Sequence, residues 1–264
     1  MKVAIIGAGN MGGAIAKGLA QGTIVSASDI TVANPSQGKL DALKTTYPEL
    51  KTTNNNKEAA QDADMVILAV KPWLVEEVLK EMELRSDQIL VSVAAGISFF
   101  DLEKYTGTGM MYDQKEMTMF RLIPNTAISL LQSTTIIASN NATPEQEQMM
   151  LDIFNEMGLA ILVPEKKMAA CTSLTSCGIA YVLKYIQAAM QAGIELGLYP
   201  KEASLMVAQS VKGAAELILQ NHTHPSAEID KVCTPGGLTI KGINQLDHDG
   251  FTSAIINAMK ASMK

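Results

Sequence analysis

Hydrophobic residues along this chain change their pattern once, near residue 164. Before that point, short apolar runs rich in β-branched residues alternate with segments whose apolar positions recur every three or four residues. Val3-Ala4-Ile5-Ile6, Ile30-Thr31-Val32-Ala33, Asp64-Met65-Val66-Ile67-Leu68-Ala69-Val70, Gln88-Ile89-Leu90-Val91-Ser92-Val93 and Thr118-Met119-Phe120-Arg121-Leu122-Ile123 read as strands, most of them buried on both faces because they lack polar alternation. Two more strands are predicted over 133–139 and 159–163. Met11, Ile15 and Leu19 recur at helical spacing, and further helices are predicted over 37–46, shortly after Asn54-Asn55-Asn56, and from Thr143 to Met157. Thr143-Pro144-Glu145-Gln146 has the form of a helix start, with a hydroxyl cap, proline at the first helical position and Gln146 placed to reach back. The segment from Tyr105 to Glu116, with Gly107-Thr108-Gly109, reads as an exposed loop.

Beyond Pro164 strand-like runs vanish. Helices are predicted over about 166–197, 201–221, 225–232 and 237–263, with some breaks, and the turns Gly197-Leu198-Tyr199-Pro200 and Asn221–Pro225 punctuate them. Alternating strands and helices followed by helices alone imply two domains, an α/β domain over 1–163 and an all-helical domain over 164–264. The apolar stretch from Met168 to Leu198 approaches the length of a membrane span. Lys184, Gln187, Gln191 and Glu195 interrupt it on one side, so it reads as a core or subunit-interface helix.

The first functional motif joins the first strand to the first helix: Gly7-Ala8-Gly9-Asn10-Met11-Gly12. In that context G-x-G-x-x-G is a dinucleotide fingerprint. Gly7 permits a tight turn, Gly9 lets backbone N–H groups approach a pyrophosphate, and Gly12 allows close helix–strand packing. An anion is favoured there by the free N–H groups and dipole of a helix N-terminus. The 1–163 domain is thus expected to be of Rossmann type.

The end of the second strand carries Asn34, then Ser36 and Lys39, where an NAD-preferring site usually carries Asp or Glu. These donors favour NADPH over NADH, since a carboxylate would repel a 2′-phosphate; alternatively Asn34 and Ser36 only form the turn and cap the next helix. Ala69 to Pro72 lies at a strand's carboxyl end, beside cofactor ribose or nicotinamide. Lys71 there reads as a contact to cofactor or to a carboxylate, and Ala94-Ala95-Gly96 leaves room for a flat ring.

Charge and composition narrow the partners. A net charge of −6 and the lack of a basic cluster interleaved with aromatics argue against nucleic acid. The opening residues form a strand pattern, so no signal peptide is expected. Cys171, Cys177 and Cys233 lack C-x-x-C spacing and read as reduced thiols in a cytoplasmic compartment. His222, His224 and His248 have no suitably spaced ligand partners, and metal-free chemistry is expected.

The second motif lies in the helical domain, at Thr234-Pro235-Gly236-Gly237-Leu238-Thr239. Consecutive N–H groups from Gly236 to Thr239, entering a helix, would suit a substrate carboxylate. The Thr239 hydroxyl could donate to a substrate nitrogen or oxygen at the same mouth. A helix cap with no further role would have the same sequence.

Taken together, Ile5–Gly12, Leu68-Ala69-Val70-Lys71-Pro72, Ser92–Ile97, Pro124-Asn125-Thr126, Gly178 with Ala180-Tyr181-Val182, His224-Pro225 and Thr234–Gly242 resemble the pyrroline-5-carboxylate reductase family over nearly the whole chain. The resemblance implies reduction of the cyclic imine 1-pyrroline-5-carboxylate to L-proline by NAD(P)H, the last step of proline biosynthesis. It implies cofactor contacts from Gly7, Ala8, Gly9, Asn10, Met11, Asn34, Ser36, Asn56, Ala69, Val70, Lys71, Pro72, Ala95 and Gly96. Substrate contacts are implied from Gly236, Gly237, Leu238, Thr239, Glu165 and Lys231, with Thr239 holding or helping to protonate the imine nitrogen. It also implies homodimers formed through the helical domain, which in the family often assemble into rings of five. This chain departs from the family pattern at Thr175–Ala180, Ala127 and Thr234. Two other readings share its plan: a β-hydroxyacid dehydrogenase or other imine reductase, for which Lys184 would be the acid–base, and a non-catalytic dinucleotide-binding paralogue.

Overall fold

The computed structural model describes residues 1–108 and 116–263. The loop expected between Tyr105 and Glu116 falls partly on residues 109–115, outside the described residues, and Tyr105-Thr106 ends a helix instead. The chain divides into two compact units, Met1–Ser176 and Cys177–Lys264.

The first unit is built on an eight-stranded sheet ordered β3-β2-β1-β4-β5-β6-β7-β8. Its strands are β1 (Val3–Ile6), β2 (Ile30–Ala33), β3 (Lys51–Thr53), β4 (Met65–Leu68), β5 (Ile89–Ser92), β6 (Met119–Ile123), β7 (Ser133–Asn140) and β8 (Gly158–Leu162). The first six strands are parallel; β7 runs antiparallel to β6, and β8 parallel to β7. Helices α1 (Asn10–Gln21), α2 (Gln37–Thr46), α3 (Asn56–Gln61), α4 (Val75–Met82), α5 (Phe99–Thr106) and α6 (Pro144–Asn155) connect them. The central strands β1 and β4 are apolar throughout because they feed two cores. Val3 and Ile5 pack with Ile15, Leu19, Leu40 and Phe154 on one face. Ala4 and Ile6 pack with Ala59, Val75, Leu79 and Leu102 on the other. Thr143 caps α6 through the reciprocal box with Gln146 that its sequence predicts.

The long helix expected over 166–197 is broken. After Leu162 the chain makes a 3-10 turn (Glu165–Lys167), a short α7 (Met168–Thr172), a π-helical turn (Ser173–Cys177) and then α8 (Gly178–Glu195). Thr172 Oγ1 bonds the Met168 carbonyl at 2.7 Å and Thr175 Oγ1 the Cys171 carbonyl at 2.9 Å. Such back-bonding hydroxyls perturb the helical ladder. Met168 and Val163 join one of the sheet's two cores, which is why the compact unit extends past the change in composition.

The second unit holds α8, α9 (Pro200–Asn221), α10 (Pro225–Val232), α11 (Leu238–His248) and α12 (Phe251–Ala261). Asp249 and Gly250, the latter with φ +75°, divide the helix expected over 237–263. The helices α8 and α9 pack closely, so that a Cβ on Gly193 would lie 3.1 Å from that of Ala203. Yet Val182, Leu183, Tyr185, Leu205, Met206 and Leu219 are exposed. A helical layer with this much bare apolar surface fits an interface. Among the described residues, no helix is long and apolar enough to cross a membrane.

Candidate functional site

In the sheet unit, a cavity of about 610 Å³ lies at the carboxyl ends of β1, β2, β4 and β5. The order 3-2-1-4 places this crevice where the strand sequence reverses, the usual ligand position in open parallel sheets. Its walls bring together Gly7, Gly9, Asn10, Met11, Asn34, Asn56, Ala69, Val70, Lys71, Pro72 and Ala95 from the expected cofactor contacts, and add Pro35, Lys39, Leu74 and Val93.

The glycine turn has the geometry its spacing requires. Gly7 has φ +104°, and a Cβ on it would meet the Ala69 carbonyl oxygen at 2.6 Å. A Cβ on Gly12 would lie 1.9 Å from the Gly7 carbonyl oxygen, so α1 can approach the sheet only because that residue is glycine. In front of Gly9 nothing lies within 4 Å of an added Cβ, which leaves a concave space for an anion. Gly9 caps α1 with no side-chain hydrogen bond, and the first turn carries no acid. A pyrophosphate fits that arrangement.

Three expected cofactor contacts are placed differently. Ala8 is buried, and its N–H already donates to Asn34 Oδ1 at 2.9 Å, so it braces the turn from behind. Ser36 lies on the exposed surface before α2 without a side-chain capping bond, and its carbonyl accepts from Asn34 Nδ2 at 3.2 Å. Gly96 sits in an exposed turn with φ +79°, away from the cavity wall. Asn34 itself is only 6% exposed. Its backbone N–H donates to the Thr53 carbonyl, and its own carbonyl accepts from Asn54 Nδ2.

Lys71 lies 6.0 Å from the ring centre of Trp73, so a cation stands at the rim where β4 ends. Glu165, implied as a substrate contact, is anchored within the sheet unit. Its Oε1 accepts from Phe99 N at 2.9 Å and from Arg121 Nη1 at 2.5 Å. Arg121 is the one cation in the apolar β6 run, a signal that its partner would be an acid.

The helical unit carries the second motif. Gly237 N donates to the Thr234 carbonyl at 2.9 Å, with Pro235 second and Gly236 third in the turn. Gly236 has φ +72°, the glycine position of a type II turn with proline before it. A Cβ on Gly237 would lie 2.5 Å from Thr234 Oγ1. This tight turn delivers the chain to α11, whose cap, Gly237, makes no side-chain bond and whose first turn carries no acid. Leu238 is 86% exposed. Thr239 lies beside it on the wall of an apolar hollow of about 980 Å³ that Tyr181, Tyr185, Val211 and Phe251 also line.

Lys231 is paired: its Nζ lies 2.7 Å from Glu228 Oε1. Hydrogen bonds from Lys231 and then Thr223 hold the Glu228 carboxyl below its ordinary value. His224 caps α10, its Nδ1 accepting from Ser226 N at 3.2 Å. Lys184, the acid–base of the dehydrogenase reading, donates to Gln187 on the exposed side of α8.

Comparison with known proteins agrees with both halves. Residues 2–96 match the family described as NADP oxidoreductase, coenzyme F420-dependent. Residues 165–264 match pyrroline-5-carboxylate reductase dimerisation. The chain is 34% identical to pyrroline-5-carboxylate reductase of Escherichia coli K12, over 100% of this chain and 96% of that one. It is also 34% identical to pyrroline-5-carboxylate reductase 1 of Dictyostelium discoideum, over 98% of this chain, but spans only 48% of that longer protein. The crystal structure of Plasmodium falciparum pyrroline carboxylate reductase with NADP bound superposes with a TM-score of 0.88 at 28% identity, covering 100% of this chain and 95% of the other. With a full-length relative above 30% identity and a dinucleotide crevice of the matching form, this chain belongs to the pyrroline-5-carboxylate reductase family.

Proposed function

We propose that this protein reduces the C=N bond of 1-pyrroline-5-carboxylate to give L-proline, with NADPH as the preferred reductant. The observation that carries the reading is the Thr234–Gly237 turn opening onto the uncapped start of α11 with Thr239 in its first turn, inside the segment that matches the family's dimerisation region. When bound in the sheet crevice, the nicotinamide supplies the hydride. The chain's own residues position and neutralise. The Gly237 N–H closes the turn onto the Thr234 carbonyl, so the Leu238 and Thr239 N–H groups at the start of α11 hold the substrate carboxylate. The Thr239 hydroxyl bonds the ring nitrogen, which keeps its proton as the carbon is reduced. Such chemistry requires no strong acid–base pair.

The helical segment that begins at residue 164 is the dimerisation and substrate domain in this reading. Its exposed apolar helices α8 and α9 are covered by a second copy, and five such dimers form the larger ring. Preference for NADPH is supported by a β2 end that carries amide and ammonium groups and no carboxylate. Three free cysteines fit a reducing, cytoplasmic setting.

The test is purified protein incubated with NADPH and 1-pyrroline-5-carboxylate, followed by amino-acid analysis. Proline formed in step with NADPH oxidation is the expected result. Tight NADPH binding with no proline formed would overturn the reading in favour of a non-catalytic binder.

A further inference from the structure

The motif Pro124-Asn125-Thr126 follows β6 at the carboxyl edge of the sheet, off the wall of the cofactor crevice. Asn125 is buried, and each of its polar groups is engaged within the sheet unit. Its backbone N–H donates to Ser133 Oγ at 3.1 Å, and that oxygen also accepts from Thr135 Oγ1 at 3.3 Å. Its carbonyl accepts from Ile128 N at 3.2 Å. The side-chain Oδ1 accepts from Ala127 N at 3.0 Å and so caps the 3-10 turn Thr126–Leu130. Capping uses one end of the amide. The other end, Nδ2, donates to the Thr175 carbonyl at 3.3 Å, 50 positions along the chain.

That carbonyl lies in the π-helical turn Ser173–Cys177. Such turns are rare and recur at functional sites. Here the turn holds the last residues of the sheet unit, up to Ser176, and the first of the helical unit, Cys177. Gly178 follows directly and lines the same apolar hollow as Thr239. The segment leading into the turn is pinned as well. Arg121 of β6 holds Glu165, Met168 enters a core of the sheet unit, and Ser173 is buried. Arg121 and Asn125 thus grip the start and the end of one connecting segment.

We infer that Asn125 is a positioning residue for hydride transfer, its amide holding the π-turn in the conformation that sets Gly178 beside Thr239. The inference rests on the reduction proposed above, in which the sheet unit holds the nicotinamide and the helical unit holds the imine. The separation of the two reacting carbons then answers to the junction between the units, and near-attack geometry tolerates little error. Asn125 acts through the π-turn and not on substrate. An amide suits the task because it accepts at the cap and donates to the carbonyl at once.

The experiment compares full-length wild type, Asn125→Ser, Asn125→Asp and Ser133→Ala. Serine and aspartate both cap well, so Ala127 N keeps its acceptor, but neither offers an N–H to Thr175. In both variants kcat for imine reduction should fall about tenfold, within the roughly hundredfold that a small misplacement can cost. Deuterium at the transferred position of NADPH should slow them more than wild type, because hydride transfer now limits turnover. NADPH affinity by calorimetry should stay unchanged, and amide exchange over residues 173–178 should quicken. Ser133→Ala removes a buried acceptor but leaves the amide–carbonyl bond, so it should lower Tm and keep kcat and the isotope effect. Wild-type kcat in both Asn125 variants would overturn the role and leave the proposed reduction standing. An equal loss of kcat in Ser133→Ala would trace the effect to general loosening and also overturn it. A wild type that forms no proline would overturn the reduction and this role together.

Discussion

The Ala8 N–H donates to Asn34 Oδ1 across 2.9 Å, joining the glycine turn to the end of β2 over 26 positions of sequence. One amide thereby shapes the crevice whose rim it helps to form. In Asn34→Asp the acceptor remains, so the turn stays braced, but the bond to the Ser36 carbonyl is lost and a negative charge enters the crevice. NADPH affinity should fall by about tenfold relative to NADH, roughly 1.4 kcal/mol, because a carboxylate repels the 2′-phosphate. Calorimetric titration of both cofactors measures it; an unchanged ratio would place the ribose away from this position.

Gly12 gives a second prediction in which local propensity and packing oppose each other. Replacing a helical glycine with alanine ordinarily stabilises by about 1 kcal/mol. Here the new Cβ would sit 1.9 Å from the Gly7 carbonyl oxygen and 2.8 Å from Ala69 Cβ, so α1 must back away from the sheet. Gly12→Ala should therefore destabilise by roughly 1–3 kcal/mol and weaken cofactor binding. Gly13, the next residue, meets only the Ala8 carbonyl oxygen at 3.8 Å, an ordinary contact. Thermal melts of the two variants should move in opposite directions.

Those two glycines illustrate which parts of the molecule can be read from residue order. The strands β1, β4 and β5 are legible because burial on both faces forces an unbroken apolar run, and the fingerprint is legible because its glycines are steric necessities. The strand β3 escapes notice: Lys51-Thr52-Thr53 is a short polar edge, paired only with β2. The π-turn at Ser173–Cys177 depends on hydroxyl–carbonyl bonds that composition does not reveal. Site roles are harder still. Asn34, Glu165 and Lys231 have residue types that suit a ligand, but Ala8, Arg121 and Glu228 bind them first. Two of those three partnerships span distances in sequence that no local pattern encodes.

Glu156 predicts a pH dependence of stability. Burial, the largest single influence, raises its carboxyl pKa, but bonds from the Thr23 hydroxyl, the Thr23 N–H and the Ile24 N–H together outweigh it and leave the group below its ordinary value. These contacts are 2.5, 2.8 and 3.2 Å long and tie the end of α6 to the loop after α1. A carboxyl with a lowered folded-state pKa stabilises above its unfolded pKa, and the benefit is lost as pH falls through the folded value. Wild type should lose Tm on acidification below the ordinary carboxylate range, about pH 4. Glu156→Gln should start lower near neutrality and fall less steeply. Parallel acid slopes for the two proteins would show that the loop contact contributes nothing through charge.

In the proposed reading Thr239 acts on the substrate and not on the cofactor, and a single substitution separates the two. It stands in the first turn of α11, directly after the exposed Leu238 and the tight Gly236-Gly237 turn. Thr239→Val preserves the β-branched shape and volume while deleting the hydroxyl, so the turn and the helix start should survive. If that hydroxyl bonds the ring nitrogen as the imine is reduced, its loss should lower kcat about a hundredfold, the scale of one preorganised hydrogen bond removed from the reacting group. Thr239→Ser should restore most of the rate. NADPH affinity, set in the sheet crevice, should change little in either variant. A valine variant with wild-type kcat and a raised KM would instead place Thr239 among the groups that only bind the substrate.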